Sequence, residues 1–81
     1  MTFKHGIYKH FKGHTYKTLF LAKNSETLEE MVVYANTENP SDIWVRPLRM
    51  FIETIEKEGI QIKRFEFIKN KRTWLSKKGG H

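Results

Sequence analysis

Asp42-Ile43-Trp44-Val45-Arg46-Pro47-Leu48-Arg49-Met50-Phe51 is the stretch that decides how this chain is read. It is β-prone through Arg46 and then meets a proline, which removes a backbone donor and fixes φ, so a strand must stop there. Beyond it, Leu48, Phe51, Ile52 and Ile55 recur at the spacing of one helical face, with Pro47 at a suitable first position and Gly59 past the end. Against a long helix, Phe51 to Glu56 is rich in β-prone types and Glu58-Gly59 makes a good hairpin turn. The reading favours one helical turn over 47–50 followed by a hairpin. A helix over 47–58 is the alternative.

Upstream, residues 7–11 and 15–22 alternate and are rich in aromatic and β-branched types. Lys12-Gly13-His14 joins them as a tight, glycine-containing connection, so the pair reads as a β-hairpin. Strict alternation puts Tyr16, Thr18, Phe20 and Ala22 on one face of the second strand and Leu19 and Leu21 on the other. Asn24-Ser25-Glu26-Thr27 breaks the run; Thr27 and Glu30 have capping-box spacing, yet Met31-Val32-Val33-Tyr34 is strand-like. A third strand is therefore expected over 29–35, followed by a loop through Asn39-Pro40. Ile60 to Ile68 alternates as a final strand, with Ile60, Ile62, Phe65 and Phe67 inward after a shift at Lys63-Arg64. Five or six short strands with one helical turn predict a mostly β fold, a small SH3-like barrel.

Eighty-one residues make one small domain. A chain of this size buries only about 60–65% of its unfolded surface, so its core is thin. Six Phe, three Tyr and two Trp offset this, because each carries a large buried area. Cysteine is absent, which removes disulfides and thiolate zinc sites and fits a reducing cytoplasm. No apolar run approaches the roughly 18 residues of a membrane helix, so a cytoplasmic location away from membranes is expected.

The net charge of +6 is unevenly placed. Residues 1–23 carry five lysines and no acid, and residues 24–42 carry five acids and no base. Residues 43–68 hold five bases against four acids, which leaves 1–68 at only +1. The division expected is a folded domain over 1–68 and a basic, disordered tail over 69–81. Most of the basicity belongs to that tail, which argues against a domain built around nucleic acid.

Two groups of residues suggest binding. Trp44, Arg46 and Arg49, beside Pro47, would form an aromatic–guanidinium surface suited to a peptide, a base or a methylated amine. The plain alternative buries Trp44 in the core and pairs Arg46 with Glu53 or another acid across the sheet. Tyr8, His10 and Lys12 would share one face of the first strand as an aromatic–basic stripe; a solvated strand face is the alternative. His10 and His14 invite a metal, but zinc needs three or four protein ligands and no cysteine or local carboxylate completes the set. His10, Ser25 and Glu26 supply ingredients of catalysis without any nucleophile-elbow or phosphate-loop spacing. No catalytic set, cofactor or metal is therefore expected. Protein or peptide recognition leads, RNA or single-stranded DNA binding by hairpin and tail comes second, and a small enzyme or ligand sensor trails.

Gly6-Ile7-Tyr8-Lys9-His10-Phe11-Lys12-Gly13, Asn24-Ser25-Glu26-Thr27, Val32-Val33-Tyr34, Trp44-Val45-Arg46-Pro47, Met50-Phe51 and Arg64-Phe65 stand in an order and spacing that resembles the bacterial family known as domain of unknown function 1653. The resemblance spans about residues 6–68. Asn24 stands where the family usually has histidine, and Lys63 where proline usually precedes Arg64-Phe65. The resemblance implies a compact, mostly β domain of the bacterial cytoplasm and no assigned activity.

Overall fold

The computed structural model describes residues 3–69. Among them the order is β1 (Ile7–His10), β2 (Thr15–Lys23), β3 (Glu30–Asn36), β4 (Ile43–Pro47), α1 (Leu48–Phe51), β5 (Thr54–Lys57), β6 (Ile60–Lys63) and β7 (Phe65–Lys69). The fold is mostly β, as expected, with the single helical turn after Pro47 and no long helix over 47–58. Pro47 ends β4 and caps α1 rather than sitting inside it. β7 runs to Lys69, one residue past the expected domain end, and the rest of the tail, 70–81, lies outside the described residues.

The strands form a five-stranded antiparallel sheet in the order β4-β3-β2-β1-β7 and a separate β5–β6 hairpin. The sheet does not close, so the expected barrel is corrected to an open sheet with a hairpin. Arg64 is the physical reason for the division. Its amide donates to the Glu53 carbonyl at 3.0 Å while its carbonyl accepts from the Phe11 amide at 3.0 Å. The chain thus turns from one sheet into the other at a single residue, and the expected continuous strand over 60–68 becomes two. At the far side, β4 is left as an edge.

Turns follow their residues. Glu58 and Gly59 have φ of 53° and 79°, the pair of positive values that a two-residue type I′ hairpin turn requires. Asn36 Oδ1 accepts the Glu38 and Asn39 amides at 2.7 and 3.2 Å, which folds the loop before β4. The second strand departs from strict alternation. The β2–β3 register shifts between Thr18 and Phe20, so Thr18 pairs with Tyr34 but Phe20 pairs with Val33. This bulge at Leu19 moves Phe20 to the opposite face, where it is exposed.

The core lies on one face of the large sheet, under α1. Phe51 is fully buried and stacks on Phe65 with ring centroids 4.0 Å apart. Tyr8 and Tyr34 meet Phe51 edge-on at 5.0 and 5.3 Å, and Val32 completes the buried cluster. Each such aromatic contributes about 1.5–3 kcal/mol by burial, plus the preference of rings for offset and edge-on contacts. Three strands, β1, β3 and β7, meet one aromatic side chain from α1. Phe65 and Phe67 point inward as expected, whereas Ile60 is exposed.

Candidate functional site

The β3–β4 register pairs Val32 with Arg46 and Tyr34 with Trp44. Residues directly opposite in an antiparallel pair share a face, so Trp44 and Arg46 stand on the core side of the sheet, at its edge. Depth separates them from the core. Trp44 is 51% exposed and its neighbours Ile43 and Val45 are 56% and 58% exposed. The reading that buried Trp44 is thereby corrected: an edge strand has one fewer neighbour to cover it.

Arg46 lies deeper. Its Nε donates to the Tyr34 hydroxyl at 3.3 Å, and its guanidinium carbon is 5.7 Å from the Phe65 ring centre. Among the described residues the two arginine–carboxylate pairs are Arg49–Glu29 at 2.6 Å and Arg64–Glu53 at 3.5 Å. Glu53 therefore serves Arg64, and the expected alternative of Arg46 pairing with Glu53 is not realised. A planar guanidinium held at Nε and flanked by rings presents its terminal nitrogens as a rigid fork.

Aromatic groups extend this surface inward. Tyr16 meets Tyr34 edge-on at 5.3 Å and Phe65 at 5.9 Å, and the His10 ring meets Phe65 at 4.8 Å. Burial raises the Tyr16 phenol above its ordinary range, with Tyr34 and Asp42 adding to the shift and Arg46 opposing it. Burial lowers the His10 imidazole, and the positive charges of Arg46, Arg64, Lys12 and His14 lower it further. His10 Nδ1 accepts the Lys12 amide at 3.1 Å, so the neutral ring carries its proton on Nε2. Arg64 Nε is buried without a hydrogen-bond partner.

The structure divides the expected site. Trp44, Arg46 and His10 are brought to one side of the sheet. Tyr8 is a core residue whose hydroxyl donates to the Lys4 carbonyl, and Lys12 is exposed in the first turn. Pro47 is half-buried at the start of α1, and Arg49 is held by Glu29. Tyr16, Tyr34 and Phe65 belong with the site and were not singled out by sequence, because aromatics in strands read as core. Among the described residues no three His, Asp or Glu side chains converge to hold a metal ion.

Two grooves lie elsewhere. One of about 360 Å³ is lined by Phe3, Tyr8, Leu48, Ile52 and Phe67, and one of about 390 Å³ on the opposite face by Ile7, Lys17, Ala35, Pro40 and Ile68. Neither includes Trp44 or Arg46, whose surroundings are open rather than enclosed. No described helix is long and apolar enough to cross a membrane.

Fold and site together define a small, mostly β domain with an open sheet edge that carries an exposed tryptophan beside an arginine. The chain belongs to the family described as protein of unknown function (DUF1653), whose pattern it matches over residues 6–67. It is similar to the crystal structure of a protein of that family from Bordetella bronchiseptica, with 33% identity and a TM-score of 0.75. The match covers 84% of this chain and 90% of that one. A search among curated proteins finds no match.

Proposed function

We propose that this protein is a non-enzymatic binding module that takes an extended protein segment along β4, with Trp44 and Arg46 as its reading side chains. One observation carries the reading: β4 is the terminal strand of the sheet, and Ile43, Trp44 and Val45 are all exposed on it. Three consecutive exposed apolar residues on an unpaired edge form a template for another strand. Natural edges are usually blunted by charge, and here the one charge within the strand is the half-buried Arg46. The open sheet, the hairpin and the single helical turn suit an SH3-like layout, and the free β4 edge suits addition of an extended segment. A cytoplasmic setting fits the cysteine-free composition.

The test is selection of random linear peptides on the intact protein. Selected sequences are expected to lose binding to Trp44→Ala and Val45→Lys while both variants keep the wild-type circular dichroism spectrum. Selection that yields no sequence, or only sequences indifferent to both substitutions, removes the proposal.

A second reading has its own support. The Lys12 and Lys57 ammonium groups lie 5.9 and 5.7 Å from the Phe11 ring centre, a basic–aromatic patch suited to single-stranded nucleic acid. This version, with or without the basic segment after Lys69, requires binding that weakens steeply with salt. Comparing the full chain with a truncation after Lys69 locates it. Loss of the affinity on truncation assigns it to the tail, persistence assigns it to the patch, and absence of salt-sensitive binding in both rejects it.

A further inference from the structure

We infer that the segment β4 takes is acidic, with a Glu or Asp side chain opposite Arg46 and an apolar residue two positions later opposite Trp44. This rests on the peptide reading above and names its ligand.

Arg46 has hydrogen-bonding capacity to spare. Its Nε is occupied by the Tyr34 hydroxyl and its plane lies by Phe65. Among the described residues its terminal nitrogens meet no carboxylate, although Arg49 and Arg64 each have one. A guanidinium fixed in this way has lost much of its rotamer freedom, so a carboxylate that reaches it forms two parallel charge-assisted bonds without ordering the side chain anew. Arg64 and Lys12 add positive potential on the same side, felt at His10. Asp42, immediately before β4, faces this region from the Tyr16 side, and Glu53 is committed to Arg64.

Strand geometry then fixes the order of the ligand's residues. Every pairing in the large sheet is antiparallel, so an added strand is taken to run antiparallel to β4. Side chains alternate, and the residues opposite Arg46 and Trp44 share a face and are separated by one. Reading along the ligand, the acid comes first, the residue opposite Val45 next and the apolar residue third. Pro47 follows Arg46 and has no amide to donate, which limits pairing beyond the acid.

Nucleic acid fits less well. A phosphodiester chain needs a row of unpaired cations, yet among the described residues the two other arginines are acid-paired and β4 is otherwise apolar. A second copy pairing antiparallel about Trp44 would set its own Asp42 opposite Arg46, and it is the alternative that the concentration dependence of dimerisation excludes or establishes.

The probe is a peptide blocked at both ends, acetyl-Ser-Thr-Glu-Val-Phe-Thr-Ser-amide, whose sole carboxylate is the side chain. Titration calorimetry and amide hydrogen exchange at Ile43 and Val45, whose amides face away from β3, are read on the full chain. The Glu peptide should bind and protect those amides, and its Gln analogue should bind about tenfold or more weakly. Arg46→Glu should reject the Glu peptide and accept the Lys analogue, which a merely misfolded variant could not do. Equal binding of the Glu and Gln peptides with β4 protection overturns the acidic assignment and leaves the peptide reading standing. Failure of both peptides, while selected sequences of other types protect β4, does the same. If no peptide of any sequence protects β4, both fall. Concentration-dependent dimerisation that protects β4, or an oligothymidylate that binds there and is lost in Arg46→Ala, also overturns the assignment.

Discussion

Arg46 donates to the hydroxyl of Tyr34 across the β3–β4 ladder, on the diagonal from its own register partner Val32. The bond ties an edge residue to a core aromatic, so the guanidinium is positioned by the same ring that packs on Phe51 and Phe65. Tyr34→Phe keeps the ring and removes the acceptor. The expected loss is about 0.5–1.5 kcal/mol in urea denaturation, the net value of one such bond. The fold should persist, and binding at β4 should weaken less than in Arg46→Ala. A stability equal to wild type would show that the bond contributes nothing.

Phe51 is the side chain through which α1 is attached to the sheet. It is wholly buried and contacts Phe65, Tyr8, Tyr34 and Phe3. Phe51→Ala should cost about 3–5 kcal/mol through lost transfer energy and the cavity left behind. That is a large share of what a domain of this size possesses, so the variant should be substantially unfolded at room temperature by circular dichroism. Phe51→Leu should remain folded with a lowered urea midpoint. A cooperative transition for Phe51→Ala near the wild-type midpoint would contradict the aromatic core.

Much of this layout was legible because its punctuation is local. Gly13, Asn36 with Pro40, Pro47 and Gly59 end segments by their own backbone chemistry, and β-branched and aromatic runs fill the spaces between. What escaped reading depends on register. The bulge at Leu19 leaves no signature in composition, yet it reverses the face of Phe20. The division at Arg64 needs a residue that bonds Glu53 and Phe11 at once, and both partners are remote in sequence. Trp44 and Arg46 were recognised as a pair by alternation alone. Their depth was not, since exposure of a strand depends on how many neighbours flank it. Tyr16 and Tyr34 joined the site only once the β2–β3–β4 register was known.

Thr18 is the buried polar residue of the large sheet. Its hydroxyl accepts the Gly6 amide at 2.8 Å and sits 3.1 Å from His5 Nδ1. Thr18→Val preserves shape but leaves the buried Gly6 amide without this acceptor. The expected cost is about 1–3 kcal/mol, the penalty for stranding a donor. Thr18→Ser should cost less, because the hydroxyl survives. If serine proves as destabilising as valine, packing of the methyl group rather than the hydrogen bond governs this position.

Glu58 occupies the first position of the β5–β6 turn with φ of 53°, a conformation costing an L-residue roughly 1 kcal/mol. Asparagine tolerates it better and is favoured before glycine in such turns. Glu58→Asn should therefore raise the urea midpoint by the equivalent of a few tenths of a kcal/mol, roughly, with no change in the spectrum. Gly59→Ala should lower it, since Gly59 has φ of 79° and alanine has open space but a strained backbone. A stabilising Gly59→Ala would disprove the turn assignment.

His10 gives the fold a pH dependence whose sign is fixed by its surroundings. Burial, and then Arg46, Arg64, Lys12 and His14, lower its affinity for a proton below the ordinary value of 6.5. In the unfolded chain the imidazole protonates near 6.5, so below that pH the unfolded state binds more protons than the folded one. Stability should thus be constant above about 6.5, fall as pH drops through about 6.5, and level off below the lowered folded value. His10→Gln keeps an acceptor for the Lys12 amide and removes the titration. Urea midpoints from about pH 8 to about pH 5 should give a wild-type slope steeper than that of the variant. Contributions common to both proteins cancel in the difference, so the comparison isolates His10 even if the variant is less stable throughout. Parallel curves would mean that the imidazole is free to protonate in the folded protein, and that the cations around it are too well screened to bias the ring.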